Sequence, residues 1–214
     1  MKKSFVLFVL FILPLVVYLF FASGVNNFGK LATLTEKVNG LNGRPSSITL
    51  NDKITILGFL GNDLDNKKGH AFNLNQKIYK RFYEFDDFQF VMVVPEGVEE
   101  KTVGLRKELG ALSDTGKWNF IFMQEQDIAE LFGSLNTNLS LDESLSTPYV
   151  FIIDKDRNLR GRDDDEDVGT KYGFDATSVA DLNNKMVDDV KIILAEYRLA
   201  LKKNTTRKLM QGER

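Results

Sequence analysis

The hydrophobic positions of this chain follow three rhythms. The first is an unbroken apolar run, Phe5 to Ala22 (FVLFVLFILPLVVYLFFA), with no polar face to set against solvent. As a helix at 1.5 Å rise, residues 5–22 span about 27 Å, close to the roughly 30 Å hydrocarbon core of a bilayer. Pro14 lies mid-run, where a spanning helix tolerates proline better than a soluble one. Residues 1–22 are therefore expected to be a cytoplasmic N-terminus and a transmembrane anchor. Lys2 and Lys3 precede the run and the next charge is Lys30, so the positive-inside rule leaves the remainder outside the cytoplasmic membrane. A cleaved secretory signal is the competing reading, because Ala22-Ser23-Gly24 offers a small-x-small site; secretory apolar cores usually run only about 7–15 residues.

The second rhythm is short and β-like: Ile54 to Leu60 (ITILGFL), Phe88 to Val94 (FQFVMVV), Asn119 to Met123, Tyr149 to Asp154 (YVFIID) and Leu159 to Arg162. The third is helical. Ala71, Leu74, Ile78, Phe82 and Phe85 predict a helix over residues 70–85, with weaker helices over Glu99–Leu109 and Ile128–Phe132. Leu182, Met186, Val190, Ile193, Tyr197 and Leu201 line a final helix, capped by Ser178 with Asp181 three residues on. Residues 23–47, rich in Gly, Asn and Ser, read as a juxtamembrane tether, residues 48–203 as one domain, and residues 204–214 as a basic flexible tail.

A β-α-β unit followed by a helix, a strand, a β-hairpin and a last helix implies a central mixed sheet with helices on both faces. That is the thioredoxin-like α/β architecture; a flavodoxin-like sheet is the alternative, and the hairpin before the last helix argues against it. Thr147-Pro148 opens the YVFIID strand, where such domains place a cis proline, so a cis bond is expected at Pro148.

Composition narrows the chemistry. The 214 residues carry a net charge of −2, which gives no basic field for nucleic acid. There is no cysteine, which removes disulfides, thiol nucleophiles, thiolate metal sites and lipid attachment through Cys. His70 is the single histidine, and no serine has a His and Asp at triad spacing. Met92, Met123 and Trp118 read as core residues.

The anchor, its FFASGVNNFGKL exit and the segment FIIDKDRNLRGR before the last helix resemble the Sco (SenC-like) family, membrane-anchored thioredoxin-fold proteins that deliver copper to cytochrome c oxidase. The resemblance implies copper ligands from a CxxxC motif after the first core strand and from a histidine before a later one. Those positions fall here on Leu64, Lys68 and Ser146, none of which suits copper(I), a soft ion that takes thiolate or imidazole. No copper site, other metal site or cofactor is expected.

Two acidic stretches remain. Asp63 and Asp65 with His70 make a loop that could hold a harder ion, although Asn and Asp before a helix ordinarily make turns and caps. Asp163-Asp164-Asp165-Glu166-Asp167 lacks the Gly and Glu of a calcium loop, as does the frame starting at Asp154, so an acidic solvated extension is expected. The reading the resemblance favours is a non-catalytic, Sco-like accessory protein with a protein partner in the respiratory oxidase system. A metal-dependent activity at Asp63, Asp65 and His70, or a purely structural membrane-tethered module, are the alternatives.

Overall fold

The computed structural model describes residues 3–22, 30–41 and 48–211. In it the apolar run becomes helix α1 (Lys3–Ala22). Side chains are described for residues 8–19, and all of them are exposed. Those residues cover about 18 Å at 1.5 Å each, and among the described residues no helix is long and apolar enough to cross a membrane. The signal-cleavage reading turns on Ser23 and Gly24, which lie outside the described residues.

The strands are β1 (Ala32–Thr35), β2 (Ile54–Leu60), β3 (Phe88–Pro95), β4 (Trp118–Met123), β5 (Ser146–Ile153), β6 (Leu159–Asp165), β7 (Gly169–Lys171) and β8 (Phe174–Asp175). The helices after α1 are α2 (Leu64–Leu74), α3 (Lys80–Phe82), α4 (Glu99–Gly110), α5 (Glu125–Ser134), α6 (Val179–Asp181) and α7 (Val187–Gln211). Sheet order is β1-β6-β5-β2-β3-β4, with β7 beside β6 and β8 beside β5. β2 is parallel to β3 and β3 to β4, while β5 runs antiparallel to β2, which excludes the all-parallel flavodoxin-like alternative.

Alternation in the strands builds two cores. Ile54, Ile56, Phe88, Phe90, Trp118 and Ile152 face α2, α4 and the last helix on one side. Leu57, Phe59, Val91, Val93, Phe151 and Ile153 face α5 on the other. Both faces of β2 and β3 are fully covered, which is why these strands read as continuous apolar runs. Trp118 opens β4 at 0% exposure, and Met92 and Met123 are core residues, as expected.

Four boundaries differ from expectation. The first concerns the tether: β1 pairs antiparallel with β6, and Val38 and Leu41 are buried, so residues 31–41 belong to the domain. Residues 23–29 and 42–47 of that tether are outside the described residues. Second, α2 begins at Leu64 rather than at residue 70. Third, π-helical turns at Asn75–Tyr79 and Leu182–Met186 interrupt the helical runs after α2 and before α7. Fourth, α7 continues to Gln211 where a flexible tail was expected from residue 204, because no glycine or proline stands between Val187 and Gln211 to stop it. The tail's basic side chains, including Arg207 and Lys208, lie outside the described residues.

The cap at Ser178 is present: its hydroxyl accepts from the Asp181 amide at 3.1 Å. Ser178→Ala is expected to lose about 1 kcal/mol of unfolding free energy, measured by urea titration.

Candidate functional site

The site lies at the end of the sheet where β2 runs into α2 and the loop 142–148 enters β5. Leu60 pairs with Ser146, and the Asn62 amide donates to the Ser144 carbonyl at 3.1 Å. Between them Gly61 takes φ +68°, and a Cβ there would stand 2.3 Å from the Ser144 oxygen. Only glycine fits this crossing.

Asp142 ties the loop together. Its Oδ1 accepts from the Ser144 amide (2.9 Å), the Ser144 hydroxyl (2.6 Å) and the Ser146 amide (3.0 Å). Its Oδ2 accepts from the Ser146 hydroxyl at 3.2 Å and from Lys67 Nζ of α2 at 3.3 Å. Burial pushes the Asp142 carboxyl up, but the hydrogen bonds from Ser144, Ser146 and Lys67 outweigh it and hold it well below the usual range. A carboxylate so held contributes stability that is complete above its ordinary value of 3.8 and is lost as pH falls further. Asp142→Asn is therefore expected to flatten the loss of stability below that pH, followed by denaturant midpoints measured at successive acidic values.

At the three positions to which the resemblance assigns copper ligands, each side chain is already committed. Leu64 is buried at the start of α2. Lys68 Nζ lies 2.8 Å from Glu108 and 3.4 Å from Asp65, and the Glu108 hydrogen bond raises its pKa. Ser146 is buried against Asp142. An aliphatic chain, an ammonium and a hydroxyl offer no soft donor, so this site does not fit copper(I).

Pro148 is correctly placed but not in the expected isomer: the described residues contain no cis peptide bond. Trans is the lower-energy isomer of an X–Pro bond, and the extended strand accommodates it. β5 is already extended from Ser146, and its register against β2 slips between Gly58 and Leu60. Proline sits in that irregularity, where its missing N–H costs no ladder bond.

Asp63, Asp65 and His70 are not assembled into a ligand set. Asp63 accepts from Asn66 Nδ2 at 2.7 Å, and Asp65 faces Lys68. His70 is half-buried; burial first, then Lys67, lowers its pKa, against the opposing charge of Asp175. Among the described residues no group of three or more His, Cys, Asp or Glu side chains is placed to hold a metal. In the other acidic run Asp163, Asp164, Glu166 and Asp167 are exposed, but Asp165 is buried, 2.7 Å from Lys185. The register of β6 against β7 slips between Arg162 and Asp165, and past that irregularity this one carboxylate turns inward.

Two groups escaped the sequence reading. Asp142 is signalled by Asp-x-Ser-x-Ser, a pattern that makes side chain–backbone turns. Asp154, weighed above as a calcium residue, instead closes the β5–β6 turn. It accepts from the amides of Asp156 (2.9 Å) and Asn158 (2.8 Å) and from Arg160 Nη1 at 3.1 Å. Arg160 is itself buried, with Nη2 2.8 Å from Glu196 of α7 and Nε 3.1 Å from the Leu31 carbonyl.

The arrangement of sheet, helices and loop matches a solved structure. A candidate protein disulfide isomerase from Bacteroides thetaiotaomicron superposes with a TM-score of 0.50 at 14% identity, over 78% of this chain and 94% of its own. The fold is thioredoxin-like. A thiol:disulfide interchange protein from Bacteroides sp. aligns at 18% identity and TM-score 0.47, over 75% of this chain and 91% of that one. A candidate electron transfer protein from Aquifex aeolicus VF5 aligns at 16% and 0.46, over 67% and 83%. No protein-family model matches the chain, and no curated protein matches it.

This likeness corrects the expectation that the chain is not an enzyme. The thioredoxin-like fold is one that disulfide isomerases use, so it gives no ground for excluding activity. The chain's own composition excludes thiol exchange alone, since that reaction needs a thiolate and there is no cysteine.

Proposed function

We propose that the chain is a membrane-anchored, Sco-like thioredoxin-fold protein that holds a protein partner outside the cytoplasmic membrane during assembly of a respiratory oxidase. The observation behind this is the loop around Asp142. Where the resemblance puts copper ligands, Leu64, Lys68 and Ser146 are packed or hydrogen-bonded within the chain, giving a fixed surface rather than a ligand cage. Rigid loops displayed on a packed scaffold are where recognition commonly resides. The anchor is supported by the apolar run and by the exposure of its described side chains, among them Phe11 at 72% and Tyr18 at 68%. The oxidase link follows from the resemblance carried by the anchor and FIIDKDRNLRGR.

The test is purification from native membranes after chemical crosslinking. The chain is expected to resist alkaline carbonate extraction and to bring down an oxidase subunit or assembly factor. A chain released by carbonate, or one crosslinked only to unrelated proteins, overturns the reading.

A further inference from the structure

A concavity of about 500 Å³ lies apart from the Asp142 loop, none of whose residues lines it. Its walls come from Leu139, Tyr149, the stretch Thr170–Gly173 and the start of the last helical run. Three features converge on it.

First, β7 pairs only with β6 among the described residues, so its other edge has no strand partner there, and Thr170 and Lys171 of β7 line the cavity. An unpaired strand edge presents a row of backbone donors and acceptors to any extended chain that reaches it. Second, Tyr149 and Tyr172 are each part-buried and line the same space, leaving aromatic surface at its wall. Such faces suit alkyl stems and the cations at their ends. Third, the charge is one-sided. The two lysines on the wall are neutralised internally, Lys171 by Asp181 at 3.0 Å and Lys185 by Asp165 at 2.7 Å. The wall's carboxylates, Asp167, Asp175 and Asp181, outnumber its two lysines, and the end of β6 and the turn that follows add exposed Asp163, Asp164 and Glu166 next to Asp167.

We infer that this cavity is a docking groove for an extended, lysine- or arginine-bearing segment of a protein partner, which adds to the free edge of β7. The backbone of the segment pairs with the strand, its basic side chains meet the acidic turn, and alternate side chains rest against Tyr149 and Tyr172. The inference deepens the partner-holding reading and rests on it, but it concerns a different surface from the Asp142 loop.

The experiment uses the purified full chain in detergent and two synthetic probes of equal length, one alternating Val and Lys, the other alternating Val and Glu. The Lys probe is expected to bind at least about tenfold more tightly at low salt and to lose that margin as salt rises. Amide NMR shifts should concentrate at Gly169–Gly173. The triple variant D163N/D164N/E166Q changes only exposed side chains, so it should fold normally and lose most of the Lys-probe margin. Equal binding of the two probes, binding that maps elsewhere, binding unchanged in the triple variant, or no binding at all overturns the groove. If the probes overturn the groove in any of these ways while the chain still co-purifies with an oxidase component, the groove falls and the partner-holding reading stands.

Discussion

Gly61→Ala is expected to destabilise the domain by about 3 kcal/mol, the sum of two separate penalties. A residue with a Cβ costs about 1–2 kcal/mol in the left-handed region that Gly61 occupies at φ +68°. The added methyl would also meet the Ser144 oxygen at 2.3 Å and the Ser146 Cβ at 2.7 Å, and overpacking typically costs about 1–3 kcal/mol. The backbone cannot simply move aside, because the Ser144 carbonyl accepts from Asn62 and Ser146 is paired with Leu60. Urea unfolding measures the total. Gly69→Ala is the control: it sits in α2 with nothing within 4 Å of a built Cβ, and should be neutral or slightly stabilising. If the two variants unfold at the same urea concentration, the crossing at Gly61 is not the constraint described.

Arg160→Met is expected to be at least as damaging, about 3–5 kcal/mol, because it strands a buried charge. Asp154 keeps its amide donors but loses its cation, Glu196 loses its contact on α7, and the Leu31 carbonyl loses both guanidinium donors. The methionine fills much of the volume, so the effect reports electrostatics rather than a cavity. Hydrogen exchange gives the distinguishing readout: protection should fall first in β1, which Arg160 ties to the body of the sheet. Uniform loss of protection across all strands would mean that Arg160 supports the domain as a whole and not this segment.

The parts of the fold legible in the sequence are those whose signal is local. β2 and β3 are continuous apolar runs because both of their faces are buried, and the Ser178 cap announces itself by spacing to Asp181. β1 is hidden because three of its four residues are only partly buried, Thr33 is exposed, and its partner, β6, lies far along the chain. The π-helical turns insert an extra residue that a 3.6-residue pattern cannot register. Of the candidate site, that Leu64, Lys68 and Ser146 offer no soft donor is readable, because residue identity alone decides it. The tie that closes the loop is only half readable: the Asp142–Ser144 turn is local, but Lys67 reaches Asp142 only after β2, α2 and β5 are assembled.

The docking of residues 31–41 onto β6 also sets a range of action. With α1 in the bilayer, as proposed, only residues 23–30 remain between the anchor and Leu31, whose carbonyl Arg160 grips. Fully stretched at about 3.5 Å each, they reach roughly 28 Å, about a third of the leash that a free stretch ending at residue 47 would allow. A domain on so short a leash patrols a thin shell above the lipid headgroups. On that proposal, its protein partner is embedded in the same membrane or pressed close against it.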